Sequence, residues 1–294
     1  MKDRIAFLFP GQGTVPSSLP PTGERGSKLL DQANQAGIPI SSLLQDGEHD
    51  RLVQTEFAQP AIFIDSTSKD CELRSRGITP LAVAGHSLGE YAALVSSDVI
   101  SPEDALRVVI TRGRLMGRVS GGGMAAILKL PQDRVEEICR GIGEGVNVAN
   151  INGPTQVVIS GNEESLKRAM NACQEAGGRA IRLDVSGPFH SPLLAPAQAD
   201  LAPFIDALEF RPPRTAFISS VSGELEEDAD TIKSLLLTQI TACVKWVSTI
   251  ESLVGLGIDV AIEVGPGKVL TNLGGRITDR IRFITFEEAI NGAV

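Results

Sequence analysis

The chain has 294 residues, 42% hydrophobic and 21% charged, enough to bury a core in one large domain or in one plus a small one. With 36 acidic residues against 27 basic ones the net charge is −9. That argues against a nucleic-acid-binding surface, which takes clustered Lys and Arg, and no apolar stretch approaches the ~20 residues that span a bilayer.

The first element expected is a strand, Ile5–Phe9. It follows directly on Met1-Lys2-Asp3-Arg4 but is too short to be the core of a signal peptide, and no small-residue cleavage site follows it. The glycine-rich Phe9-Pro10-Gly11-Gln12-Gly13-Thr14 comes next. It is either a tight turn or a loop offering backbone N–H groups at the strand's carboxyl end. It lacks the Lys-Ser/Thr ending of a nucleotide P-loop. Pro16 to Gly26 reads as a surface loop, and His49 sits in a polar turn from Gln45 to Arg51. A second strand, Leu81–Ala84, runs into Gly85-His86-Ser87-Leu88-Gly89 and then into the helical start Glu90–Leu94. Pro102–Gly117 reads as a helix, with apolar residues three and four apart.

Residues 124–186 change character. A strand Met124–Leu130, a helix Pro131–Arg140, two strand arms around Asn152-Gly153-Pro154, a helix Glu163–Ala176 and a strand Arg179–Val185 are expected. That order, β-α-β-β-α-β, is the order of a ferredoxin-like module. Gly121-Gly122-Gly123 and Gly187-Pro188 punctuate its ends, as hinges of an insertion would. After it come a helix Ser191–Leu208 and strands Arg214–Ser219 and Asp259–Val264, the last leading to Gly265-Pro266-Gly267-Lys268. Strands alternating with helices predict an α/β domain with a parallel sheet (residues 1–123 and 188–294), a small subdomain at 124–187, and a binding cleft between them. Cys71, Cys139, Cys173 and Cys243 are scattered without metal or disulfide spacing, so a reducing cytoplasm is expected.

The chemistry centres on Ser87. A serine flanked by glycines between a strand and a helix is either an ordinary βα turn or a nucleophile elbow. In an elbow the hydroxyl stands at a helix N-terminus, whose free N–H groups can hold an oxyanion. Such a serine needs a base, and the chain has three histidines. His49 reads as solvated, and His86, next to the serine on a sharp turn, reads as a structural brace. His190, at the junction of the insertion and the following helix, is the best candidate although a packed histidine would look the same. No carboxylate obviously completes a triad, so a backbone carbonyl is expected to orient the base. Arg112 and Arg114 lie on the Pro102–Gly117 helix. Either one is a solvated helix face or, turned into the cleft, a grip for a substrate carboxylate.

Four ordered segments give the chain a specific resemblance. Phe9-Pro10-Gly11-Gln12-Gly13, Gly85-His86-Ser87-Leu88-Gly89-Glu90-Tyr91, Asn152–Gly161 and Glu263–Leu270 together resemble the malonyl-CoA:acyl carrier protein transacylase family, over essentially the whole chain. The resemblance implies an α/β-hydrolase-like large domain with an inserted ferredoxin-like subdomain. It implies Ser87 as the acylated nucleophile, His190 as its base, and backbone N–H groups of Gln12 and Leu88 as the oxyanion hole. Arg112 matches the arginine that grips the malonyl carboxylate, while Leu88 and Phe189 resemble members preferring malonyl over methylmalonyl units. The implied substrates are malonyl-CoA and a phosphopantetheinylated acyl carrier protein, with neither metal nor redox cofactor and neither nucleic acid nor membrane as partner. Two positions depart from the family: Thr14-Val15 replace a Ser-Gln pair, and Lys245 precedes Trp246 where a glutamine can stand. The Lys245 carbonyl is accordingly expected to orient His190. Competing expectations are a serine thioesterase or hydrolase, a transferase using another acyl-CoA, and a silent carrier-binding module. Lys268, Arg276, Arg280 and Arg282 cluster as a candidate carrier-docking patch.

Overall fold

A mixed α/β architecture with two sheets emerges from the computed structural model, which describes residues 3–18 and 23–294. In chain order the strands are β1 (Ile5–Phe9), β2 (Ala82–Gly85), β3 (Gly122–Leu128), β4 (Val146–Gly153) and β5 (Gln156–Asn162). They continue as β6 (Arg179–Arg182), β7 (Ala216–Ile218), β8 (Leu225–Glu226), β9 (Val260–Glu263) and β10 (Arg282–Thr285).

The larger sheet runs β10-β9-β1-β2-β7-β8 and is parallel except for β8 against β7. Helices cover both of its faces, so β1 and β2 are buried along their whole length and read as unbroken apolar runs. Alternate side chains feed separate cores: Phe7, Phe9 and Val83 on one face, Ala6, Leu8, Ala82 and Ala84 on the other. The chain leaves β1 for β2 on one side and returns as β9 on the other. The carboxyl end of β1 is therefore the switch point of the sheet, where the loops after β1, β2 and β9 gather.

The smaller sheet, β4-β5-β3-β6, is wholly antiparallel. Helices Gln132–Ile142 and Glu163–Glu175 share one face of it, closing a core around Ile127, Val135, Ile159 and Leu166. Met124, Ala149 and Val158 belong instead to the main core. Two backbone bonds of 2.9 Å, Ile151 N–H to the Val244 carbonyl and Val244 N–H to the Ala149 carbonyl, stitch β4 to the larger part. The two sheets are thus fixed against each other across the cleft.

Several boundaries differ from the sequence expectation. The strand expected at Leu81–Ala84 runs Ala82–Gly85, and that at Arg179–Val185 stops at Arg182. The helix expected from Ser191 opens as a tighter turn, Pro192–Leu194, before Ala195–Asp206. The loop expected to reach Gly26 ends earlier, because a helix begins at Glu24; its residues 19–22 lie outside the described residues. Strands β8 and β10 and the long helix Thr55–Ser75 were not expected. Every residue of that helix from Phe57 to Asp70 is buried, so it carries no single apolar stripe to betray a helical period. Among the described residues no helix is long and apolar enough to cross a membrane.

Candidate active site

Backbone packing shapes the turn after β2. A Cβ on Gly85 would overlap the backbone of Gly89, and one on Gly89 would overlap the Phe9 carbonyl at the end of β1. Only hydrogen fits at both positions, and the turn closes tightly enough to leave Ser87 at φ 52°. Such a φ costs a non-glycine residue about 1–3 kcal/mol, which the surrounding packing must hold. Ser87 precedes the helix Gly89–Ser96. The Leu88 and Gln12 backbone N–H groups make no hydrogen bond to another described residue. His86 points away from the serine: its Nε2–H donates to Asn152 Oδ1 at 2.9 Å, and its ring stands edge-on to Trp246 at 5.3 Å. It braces the elbow against the smaller sheet, and burial lowers its pKa so that it is held neutral.

His190 arrives from the other side of the cleft, also at positive φ (54°). Its Nε2 lies 2.7 Å from Ser87 Oγ. Its Nδ1–H faces two backbone carbonyls, Ala242 at 2.9 Å and Gln239 at 3.1 Å. Those acceptors fix the proton on Nδ1 and turn the Nε2 lone pair to the serine hydroxyl. Asn147 Nδ2 donates to the His190 carbonyl at 2.8 Å, and His190 N–H donates to the Ile240 carbonyl at 3.1 Å. Burial above all, then the Arg112 cation, lowers the His190 pKa to about 3. The ring is therefore neutral, the form that accepts a proton.

Arg112 is the third group at the serine. Its side chain is 1% exposed. Nη2 lies 3.0 Å from Ser87 Oγ and 3.1 Å from Gln239 Oε1, and Nη1 lies 2.8 Å from Gln59 Oε1. The guanidinium sits 5.7 Å from the centre of the Tyr91 ring, and its Nε–H has no partner among the described residues. Among the described residues only neutral amides and a hydroxyl receive its hydrogen bonds. A buried cation with no anion in direct contact is costly, so this one is poised for an anion that enters the cleft.

The cleft, about 180 Å³, is lined by the elbow, His190, Arg112, Phe189, Gln12, Met116, Asn150 and Asn152. It shares Gln12, Gly13, Thr14, Leu183 and Val185 with a wider hollow of about 1080 Å³. Ser87, His190, Arg112, Gln12, Leu88 and Phe189 thus come together as expected from the sequence.

Lys245 does not. Its carbonyl accepts from Thr249 N–H and Thr249 Oγ1 in the first turn of helix Trp246–Gly255, both at 3.0 Å. The carbonyls that hold His190 belong to Gln239 and Ala242, so that expectation is corrected. Arg114 turns away from the serine and donates to the Ala36 carbonyl, while His49 is exposed. Lys268, Arg276, Arg280 and Arg282 are all exposed, with Arg276 donating to Gln156 at 3.0 Å. Gln59 and Gln239 escaped the sequence reading. Gln59 left a trace, an amide within the apolar run Phe57–Ile64; Gln239 left none.

The chain is similar to known acyltransferases over most of its length. Residues 30–280 match the family model of the acyl transferase domain. The malonyl CoA-acyl carrier protein transacylase of Bacillus subtilis (strain 168) is 36% identical, covering 97% of this chain and 94% of the relative. The crystal structure of an acyl carrier protein S-malonyltransferase from Vibrio cholerae superposes with a TM-score of 0.90 at 35% identity, covering 96% of each chain. A malonyl-transacylase solved in complex with a type II PKS acyl-carrier protein gives 0.88 at 31% identity, over 98% of this chain and 99% of its own.

Proposed function

The chain belongs to the malonyl-CoA:acyl carrier protein transacylase family, and we propose that it works through Ser87, His190 and Arg112. It is an [acyl-carrier-protein] S-malonyltransferase, moving malonyl from malonyl-CoA to the phosphopantetheine thiol of an acyl carrier protein. The observation that carries the assignment of roles is the convergence on one oxygen: Ser87 Oγ has His190 Nε2 at 2.7 Å and Arg112 Nη2 at 3.0 Å.

The reaction follows from those contacts. As Ser87 Oγ attacks the thioester carbonyl, its proton passes to His190 Nε2, which its pKa of about 3 leaves free to accept it. The tetrahedral oxyanion sits against the Gln12 and Leu88 backbone N–H groups. Collapse breaks the C–S bond, and His190 returns the proton to the departing thiolate of CoA. The carrier's thiol then attacks the O-malonyl serine by the same steps in reverse. Arg112 holds the malonyl carboxylate with parallel hydrogen bonds. An acyl group lacking a carboxylate leaves that cation without an anion, which is the physical basis of selection. Phe189 closes the apolar side of the acyl pocket, and discrimination there of one methyl is worth only ~1–3 kcal/mol.

The larger sheet with its elbow reads as an α/β-hydrolase-like core, and the β-α-β-β-α-β run as an inserted ferredoxin-like subdomain. The reading keeps residues 124–187 as the small subdomain and residues 1–123 and 188–294 as the large one, with β3 beginning at Gly122. Four free cysteines suit a reducing cytoplasm. Incubation with malonyl-, methylmalonyl- and acetyl-CoA plus a carrier protein tests the proposal. Malonyl should appear on the carrier, and release of free malonate with no acyl-carrier would instead mark a hydrolase.

A further inference from the structure

The mechanism leaves one carboxylate near the site unused. Glu90, in the first turn of helix Gly89–Ser96, is 2% exposed. Its Oε1 accepts from Ser219 Oγ at 2.7 Å and Ser220 N–H at 3.1 Å. Its Oε2 accepts from Ser220 Oγ at 3.0 Å and Gln239 Nε2 at 2.6 Å. Four donors aimed at two oxygens suit the ionised, acceptor-only group. Burial holds its pKa above the ordinary carboxylate value, and those donors, led by Gln239, offset part of that rise.

Gln239 is the link from this carboxylate to the chemistry. It is fully buried, and its Nε2 also donates to the Ser87 carbonyl at 2.8 Å. Its Oε1 accepts from Arg112 Nη2 at 3.1 Å. An amide has one donating and one accepting end. Glu90 and the Ser87 carbonyl are both acceptors, so they compel the NH2 end to face them and the oxygen to face Arg112. A flipped amide would set oxygen against two acceptors and NH2 against a guanidinium. Glu90 also places a negative charge one amide away from Arg112 without occupying a guanidinium donor. A direct ion pair would fill those donors and compete with an incoming carboxylate.

We propose that Glu90 is a positioning residue for acyl selection: acting through the Gln239 side chain, it holds the Arg112 guanidinium at the acyl pocket with its Nε–H and one Nη1–H, unengaged among the described residues, left for the malonyl carboxylate. This rests on the reading of Arg112 as the group that binds that carboxylate. Glu90 itself touches neither substrate nor the reacting atoms.

The test compares kcat and KM for malonyl-CoA and acetyl-CoA, with saturating carrier protein, in the full chain. Glu90→Gln supplies an NH2 group that lets the Gln239 amide turn over. It should lower the malonyl-over-acetyl ratio of kcat/KM about tenfold, or about 1.4 kcal/mol, mainly through KM for malonyl-CoA. In an Arg112→Ala background the same change should leave the ratio within about twofold, since the route from Glu90 to selectivity has been removed. An equal loss for both acyl groups, or an unchanged ratio, overturns the proposal, since a merely structural role cannot separate the two substrates. Should Glu90→Gln fail to fold, Glu90→Asp keeps an acceptor-only group and should hold the ratio within about threefold of the wild type; a lost preference there overturns the proposal equally. Arg112→Ala alone reports on the underlying reading: retained malonyl preference in that variant refutes the role of Arg112, separately from that of Glu90.

Discussion

Arg112→Ala is the substitution that bears most directly on substrate choice. The side chain is buried and gives hydrogen bonds to Gln59, Gln239 and Ser87, and its charge has no carboxylate to answer it among those contacts. Removing one member of a buried, hydrogen-bonded charge pair costs about 2–5 kcal/mol. That is a fall of roughly thirtyfold to several thousandfold in kcat/KM for malonyl-CoA. Acetyl-CoA has no carboxylate, so its loading should be spared that loss, and the preference for malonyl should collapse. The substitution also strips a donor from the Gln59 and Gln239 oxygens, at about 1–3 kcal/mol of stability for each buried acceptor left unsatisfied. A thermal melt and the acetyl rate therefore accompany the malonyl assay, read as acyl-enzyme and acyl-carrier masses. A variant that folds, loads acetyl, and still prefers malonyl as strongly as the wild type refutes the reasoning.

His190, with a pKa lowered to about 3, should keep the acylation step active at pH values where an ordinary histidine is already protonated; a rate that halves near pH 6.5 in single-turnover loading would count against this. The same shift has a stability consequence. Between about pH 6.5 and 3 the unfolded chain binds a proton at this position and the native one does not, so unfolding free energy should fall on acidification by about 1.4 kcal/mol per pH unit from this group. His190→Gln should flatten that slope in denaturant titrations. Gly89→Ala forces a Cβ into the Phe9 carbonyl; a melt should show about 1–3 kcal/mol of destabilisation, with acylation nearly abolished, and wild-type loading would disprove the tight-elbow argument. Lys245→Ala should leave acyl transfer within about twofold, because the Lys245 side chain is exposed and lies outside the lining of the cleft; a large drop in kcat would bring that side chain into the site.

Much of this was legible in the sequence because local chemistry dictates it. Gly85 and Gly89 announce a turn that admits no side chain, and the run Ile5–Phe9 announces a strand buried on both faces. With only three histidines, His190 could be reached by elimination. The remainder depends on tertiary packing. Helix Thr55–Ser75 is buried on all sides from Phe57 to Asp70, so its apolar and polar residues follow no stripe there, and Gln59 within it looked incidental. Gln239 lies 152 positions from Ser87, and no local pattern marks a polar side chain whose partners are assembled only by folding. The Lys245 expectation failed for a related reason. The segment from Gln239 to Val244 wraps the imidazole, and which of its carbonyls meets Nδ1 is set by how that segment packs against β4.

The central claim is that the acyl group is carried covalently on Ser87 after His190 takes its proton. Brief exposure of the enzyme to malonyl-CoA without carrier protein, followed by proteolysis and peptide mass spectrometry, tests it most directly. Malonyl should be found on the peptide containing Ser87, should vanish in Ser87→Ala, and should form far more slowly in His190→Ala. Malonyl attached to another residue, or loading of the Ser87→Ala variant at the wild-type rate, would contradict the account.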